Sequence, residues 1–147
     1  MNLKFQRGDV VLIRFPFTDL SGSKRRPSVI LAEYSSDIVV AFVSSVLPTK
    51  PEQSDILLKP SSPFFLMTGL KKASVVRLRK VATLECELVT RRLGKLEPEL
   101  LTAVDKALVH GLGINTSYIV RETYQNLAVI LQNQGETAVI SYIQASA

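Results

Sequence analysis

The chain holds few side chains able to do chemistry at neutral pH. His110 is the only histidine and Cys86 the only cysteine in 147 residues. A pair of imidazoles sharing the work across a phosphodiester is therefore impossible within one subunit, as are an intrachain disulfide and a cysteine-based zinc site. His110 lies beside Gly111 in an apolar, helix-patterned stretch, which reads as a structural histidine and gives a Ser-His-Asp triad no support. No His/Cys/carboxylate spacing suits a metal ion, and no glycine-rich phosphate loop is present. Any reaction must draw on Arg, Lys, Ser, Thr and carboxylates.

The cations are unevenly spread. Lys and Arg number 18 against 13 Asp and Glu, a net charge of +5. Residues 71–95 alone carry eight basic residues (Lys71, Lys72, Arg77, Arg79, Lys80, Arg91, Arg92, Lys95) against Glu85 and Glu87, so this stretch is more positive than the whole chain. A second cluster, Lys24-Arg25-Arg26, falls in what reads as a turn. Such local concentration points to a polyanionic partner.

Something must hold these groups in place. The first ~95 residues read as short strands. Residues 9–17 alternate and are rich in β-branched and aromatic types. Residues 28–31, 38–43, 56–58, 74–78 and 80–84 are further strand candidates, separated by Gly-, Ser- and Pro-rich breaks. Strands at this spacing suggest a small barrel. From Glu97-Pro98-Glu99 the period changes. Leu100, Leu101, Val104, Ala107 and Leu108 fall at helical spacing, with Gly111 and Gly113 as stops. A second helical pattern runs through Ile119, Val120, Tyr124, Leu127, Ile130 and Leu131 and ends at Asn133-Gln134-Gly135; the apolar tail 138–143 fits no one period. The expected organisation is mainly β with C-terminal helices: a barrel with its packing helix over 1–114 and a helical extension over 115–147.

Hydrophobic residues at 46% and charged residues at 21% exclude a mainly disordered chain. No apolar run approaches the ~20 residues of a membrane span. Met1-Asn2-Leu3-Lys4 has no signal-peptide character, so the expected location is the cytoplasm, with no membrane partner.

One ordered set of segments is more specific. Arg7-Gly8-Asp9-Val10-Val11 leads through Phe15-Pro16-Phe17-Thr18-Asp19 and Ser21-Gly22-Ser23 to Lys24-Arg25-Arg26-Pro27-Ser28-Val29-Ile30-Leu31. Ala41-Phe42-Val43-Ser44-Ser45, Ser74-Val75-Val76-Arg77, Thr83-Leu84-Glu85 and the helix through Leu108 and Gly113 follow. Over residues 5–114 this resembles the MazF/PemK family of toxin endoribonucleases from bacterial toxin–antitoxin pairs. The resemblance implies an SH3-like small barrel, a homodimer, a cognate antitoxin and cleavage of single-stranded RNA without metal or other cofactor. The products would be a 2′,3′-cyclic phosphate and a 5′-hydroxyl.

It also implies residue roles. Arg26, before Pro27, sits at the family's catalytic arginine and would stabilise charge on the phosphate in the transition state; guanidinium forks match phosphate geometry. Pro27 biases Arg26 toward extended backbone. Ser44 stands where many members carry threonine, a hydroxyl able to bond the scissile phosphate or orient the 2′-hydroxyl. Arg77 matches an arginine used as proton donor or phosphate ligand. Arg79 departs from the pattern: some relatives have a carboxylate there as base, and arginine cannot be one, which leaves Asp19 or a partner-subunit carboxylate for that role, or catalysis by electrostatics alone. Lys24, Arg25, Ser45, Arg79 and Lys80 are the expected RNA contacts. Phe15 and Phe17 read as core in preference to a base-stacking surface, and Lys71, Lys72, Arg91 and Arg92 as a solvated face. Two other readings stay open. One is a toxin of the same fold that binds DNA gyrase, whose tryptophan-containing tail this Trp-free chain lacks. The other is an RNA-binding barrel without activity.

Overall fold

Alternation of apolar residues at period two builds the molecule's sheet and gives it two buried faces. The computed structural model describes residues 4–16 and 22–146; Phe17, Asp19 and Ser21 lie outside them. Six strands form one antiparallel sheet: β1 (Asp9–Pro16), β2 (Ser23–Glu33), β3 (Asp37–Ser44), β4 (Asp55–Leu58), β5 (Ser74–Glu85) and β6 (Val89–Lys95). Their order is β4-β5-β3-β2-β1-β6. The helices are α1 (Pro98–Gly111), α2 (Ser117–Gln134) and α3 (Glu136–Ser146). The chain is thus mainly β with C-terminal helices.

Adjacent residues divide between two cores. Val10, Val29, Ala41, Val43, Val76 and Leu78 bury against Val104 and Ala107 of α1. Their neighbours Val11, Ile30 and Val40 join Phe5, Ile13 and Ile38 on the other side, with Phe15 and Phe42 packed against them. Each fully buried aliphatic side chain contributes about 1.5–3 kcal/mol, so a one-residue slip would misplace both sets. Phe15 meets Phe42 edge-on, ring centroids 5.2 Å apart, and so belongs to the core.

The edges are joined by backbone contact. The 3₁₀ turn Leu66–Thr68, between β4 and β5, lies against β6 at the opposite edge of the sheet. A β-carbon on Gly69 would collide with the carbonyl of Leu93, and one on Gly94 with that of Met67. Gly69 also has φ +70°, a conformation that glycine adopts without strain.

Several local expectations change. Lys24-Arg25-Arg26 is part of β2, opposite Phe15, Arg14 and Ile13, because strand pairing continues past the polar residues. The two segments 74–78 and 80–84 are one strand, β5, interrupted in register: Ala41 pairs with Val81 but Phe42 with Arg77, leaving residues 78–80 bulged. Strand β6 was not anticipated, and the tail 138–143 is helical in α3. Gly113, at φ +65°, follows the end of α1, whereas Gly111 is inside it. There a β-carbon would come within 2.6 Å of the Leu78 carbonyl oxygen and 2.9 Å of the Arg79 nitrogen, so glycine lets α1 press on the bulge. Glu97, before Pro98, makes no side-chain cap; its carboxyl is pushed up by desolvation and then by Glu99.

The chain divides after Gly113 into two units. In the second, α2 and α3 meet at Gly135, and Asn126 Nδ2 donates to Tyr142 Oη at 3.4 Å. None of its described side chains is buried. Among the described residues, no helix is long and apolar enough to cross a membrane.

Candidate functional site

Strand register decides which cations meet. Ser28 of β2 and Phe42 of β3 are partners, and so are Phe42 and Arg77 of β5. Two residues beyond that pair, on the same side, come Arg26 and Ser44, because side chains of a strand repeat every second residue. Arg26, Ser44 and Arg77 are thus directed alike from three neighbouring strands. All three line one cleft of about 650 Å³. It lies at the end of the sheet where β2 begins, β3 ends and β5 begins. Residues of opposite parity, Leu12, Pro27 and Val43, reach it as well.

A main-chain group links two of the three. The Val46 N–H donates to Ser44 Oγ at 3.1 Å, and Arg77 Nη2 donates to the Val46 carbonyl at 3.4 Å. Ser44 Oγ therefore already accepts one hydrogen bond, and its own proton is left to donate. Arg77 is half-buried, while Arg26 is exposed.

The cleft is rich in cations. Lys24, Arg25 and Lys80 line it beside Arg26 and Arg77, and so does Ser45. Lys71, Lys72 and Arg91 line it too; all three are exposed, as expected of a solvated face, and that face forms part of the cleft wall. Their placement follows from the seam described above: the turn that rests on β6 carries residues 69–72 to one wall, and β6 supplies Arg91 and Leu93. Arg92 instead bonds the buried Asp9 carboxylate at 2.5 Å. The other ion pairs of the described residues, Arg7–Asp105 and Arg79–Glu52, also use no cation of the cleft.

Arg79 is absent from the cleft. The bulge turns Leu78 into the core, Arg79 outward to Glu52 at 3.0 Å and Lys80 into the cleft. Among its described lining residues there is no carboxylate, imidazole or thiol. This is a donor set for phosphate oxygens and a poor one for a divalent cation. Asp19, the candidate base on the first loop, is outside the described residues. His110 sits exposed in the last turn of α1. Cys86 lies away from the cleft at the second core, its thiol pushed up by burial and then by the charges of Glu33 and Asp37.

The same architecture occurs in known proteins. Residues 6–112 match the family described as PemK-like, MazF-like toxin of type II toxin-antitoxin system. No curated protein sequence matches significantly. Among solved structures, the chain resembles a mycobacterial endoribonuclease in complex with its cognate antitoxin (18% identity, TM-score 0.58), covering 74% of this chain and 95% of the other. It also resembles the Mycobacterium tuberculosis toxin MazF-mt6 (17%, TM-score 0.58, 73% and 98%). A third is a MazE–MazF structure from Deinococcus radiodurans (16%, TM-score 0.60, 78% and 100%). At these identities the likeness is one of fold.

Proposed function

The chain belongs to the PemK-like, MazF-like toxins of type II toxin–antitoxin systems, and from that premise we propose that it is an endoribonuclease acting on single-stranded RNA. The observation that carries this reading is the meeting of Arg26, Ser44 and Arg77 in one cleft whose described lining is rich in cations and free of acids.

The chemistry follows from what those groups can do. A ribose 2′-hydroxyl attacks the adjacent phosphorus, the bond to the 5′-oxygen of the next nucleotide breaks, and a 2′,3′-cyclic phosphate and a 5′-hydroxyl remain. The attacking atom makes the substrate RNA. Negative charge grows on the non-bridging oxygens; Arg26 and Arg77 receive it through fixed N–H donors, and Ser44 adds its hydroxyl proton. No metal takes part in this scheme: charge that a cation would neutralise is met by guanidinium groups. Lys24, Arg25, Lys71, Lys72, Lys80 and Arg91 hold flanking phosphates. The protein works as a homodimer in the cytoplasm, held inactive by a cognate antitoxin whose acidic segments suit a chain of net charge +5.

The test is direct. Purified protein incubated with a panel of unstructured RNAs in EDTA should cut them, leaving ends that carry a cyclic phosphate, and Arg26→Ala should abolish cutting. Binding without cleavage across the panel would overturn the assignment and leave an inactive RNA-binding barrel. A gyrase supercoiling assay should show no inhibition.

A further inference from the structure

The connection between β3 and β4, residues 45–54, forms one rim of the cleft through Ser45 and Val46. At this rim Val46 and Leu47 stand exposed, 72% and 43% accessible, beside walls that carry Lys24, Arg25, Arg26, Arg77 and Lys80. An apolar edge next to a row of phosphate-binding groups is suited to the faces of nucleobases. Such an edge discriminates only if its backbone is held in place.

Three consecutive residues of β5, Arg77 and the first two of the bulge, hold it. Arg77 Nη2 donates to the Val46 carbonyl at the start of the segment. The Leu78 N–H donates to the Ser54 carbonyl at its end, at 2.8 Å. Between them Arg79 Nη1 pairs with Glu52 Oε2 at 3.0 Å. Glu52 is itself fixed by a reciprocal turn: its N–H donates to Asp55 Oδ2 and its carbonyl accepts from the Asp55 N–H, both at 3.0 Å. The bulge is braced from behind, where Gly111 of α1 leaves no space between helix and strand. Of these three ties, the Arg79–Glu52 pair is the one made between two side chains.

We propose that Arg79 is a positioning residue for RNA recognition: by gripping Glu52 it holds residues 45–54 so that Val46 and Leu47 present a fixed apolar rim to the nucleobases of the substrate. The proposal rests on the nuclease reading and removes Arg79 from the direct RNA contacts. The pair is about half exposed, 44% and 54% for the two side chains, and exposed pairs shift equilibria only a few-fold.

The experiment uses Arg79→Glu, Glu52→Arg and the double exchange in the full chain, with two readouts. The first, amide hydrogen exchange of residues 46–53 in the free protein, needs no activity. Each single substitution should speed exchange about three- to fivefold and the double exchange should restore it. The second is steady-state cleavage of a single-stranded RNA: each single substitution should raise KM by a similar factor with kcat unchanged, and the double exchange should recover KM. If Arg79→Glu raises KM while Glu52→Arg does not, and exchange stays as in the wild type, Arg79 touches phosphate directly and the proposal fails. If exchange responds but KM does not, the pair is a structural tie only and the proposal fails likewise. A wild-type protein that cuts no RNA would instead overturn the nuclease reading, with the exchange data still reporting whether the grip exists.

Discussion

The sheet unit and the helical unit of this chain differ in what their residues are for. In the first, ending at Gly113, aliphatic side chains from five strands and α1 are buried to completion, and the cations stand where strand ends converge. In the second, 114–146, no described side chain is buried, although Ile119, Val120, Val129, Leu131, Ile140 and Ile143 are all apolar. Helical periodicity is present in both. Within the first unit a stripe in α1 meets a sheet; within the second, α2 packs against α3. The family match, over residues 6–112, lies within the first unit.

The contrast can be broken or sharpened by measurement. Removing a cleft guanidinium should have the largest effect: Arg26→Ala or Arg77→Ala is expected to slow RNA cleavage by about 10²–10³-fold. Circular dichroism should show both variants folded. In stability, Leu78→Ala should cost about 3 kcal/mol in denaturant titration, because Leu78 is wholly enclosed. Ile130→Ala, at a half-buried position of α2, should cost less than about 1 kcal/mol. Equal costs would mean that the helical unit has a core of its own, and the contrast would be lost. Gly111→Ala should fall between them, at about 1–3 kcal/mol, through its collision with the bulge. A finer distinction lies within the sheet unit. Lys72→Ala should lower the slope of log affinity for RNA against log salt by about 0.7, the share of one phosphate contact. Arg92→Ala, whose guanidinium already serves Asp9, should leave that slope unchanged. The smallest effect concerns Cys86: with its thiol pushed up, the reactive thiolate is scarce, so alkylation at pH 8 should be slower than for the unfolded chain.

Much of the arrangement could be read from the chain, and the reasons are local. Arg26, Ser44 and Arg77 reach one cleft because each sits on a strand, where direction repeats every two residues and register carries it across neighbours. Phe15 was legible as core for the same reason. Arg79 was not: the bulge at 78–80 inserts residues without partners, and counting by twos along β5 fails across it. That Lys71, Lys72 and Arg91 wall the cleft was not legible, because their place depends on a long-range contact between a 3₁₀ turn and β6, which no local pattern encodes. The cluster 24–26 was taken for a turn because charge and a nearby glycine outweighed pairing with β1. The tail 138–143 mixes small, β-branched and aromatic residues, so neither period dominates.

The two glycines that seal the sheet have a cost in sequence freedom. Neither Gly69 nor Gly94 can carry a hydroxyl, a charge or a base, yet a single methyl at either would prise the turn from β6. Lys71 and Lys72 would then swing away from Arg91, and the groove would widen along its length. Substitutions that reshape the cleft therefore need not strike any cation: two positions with no side chain at all set the distance between its cationic walls.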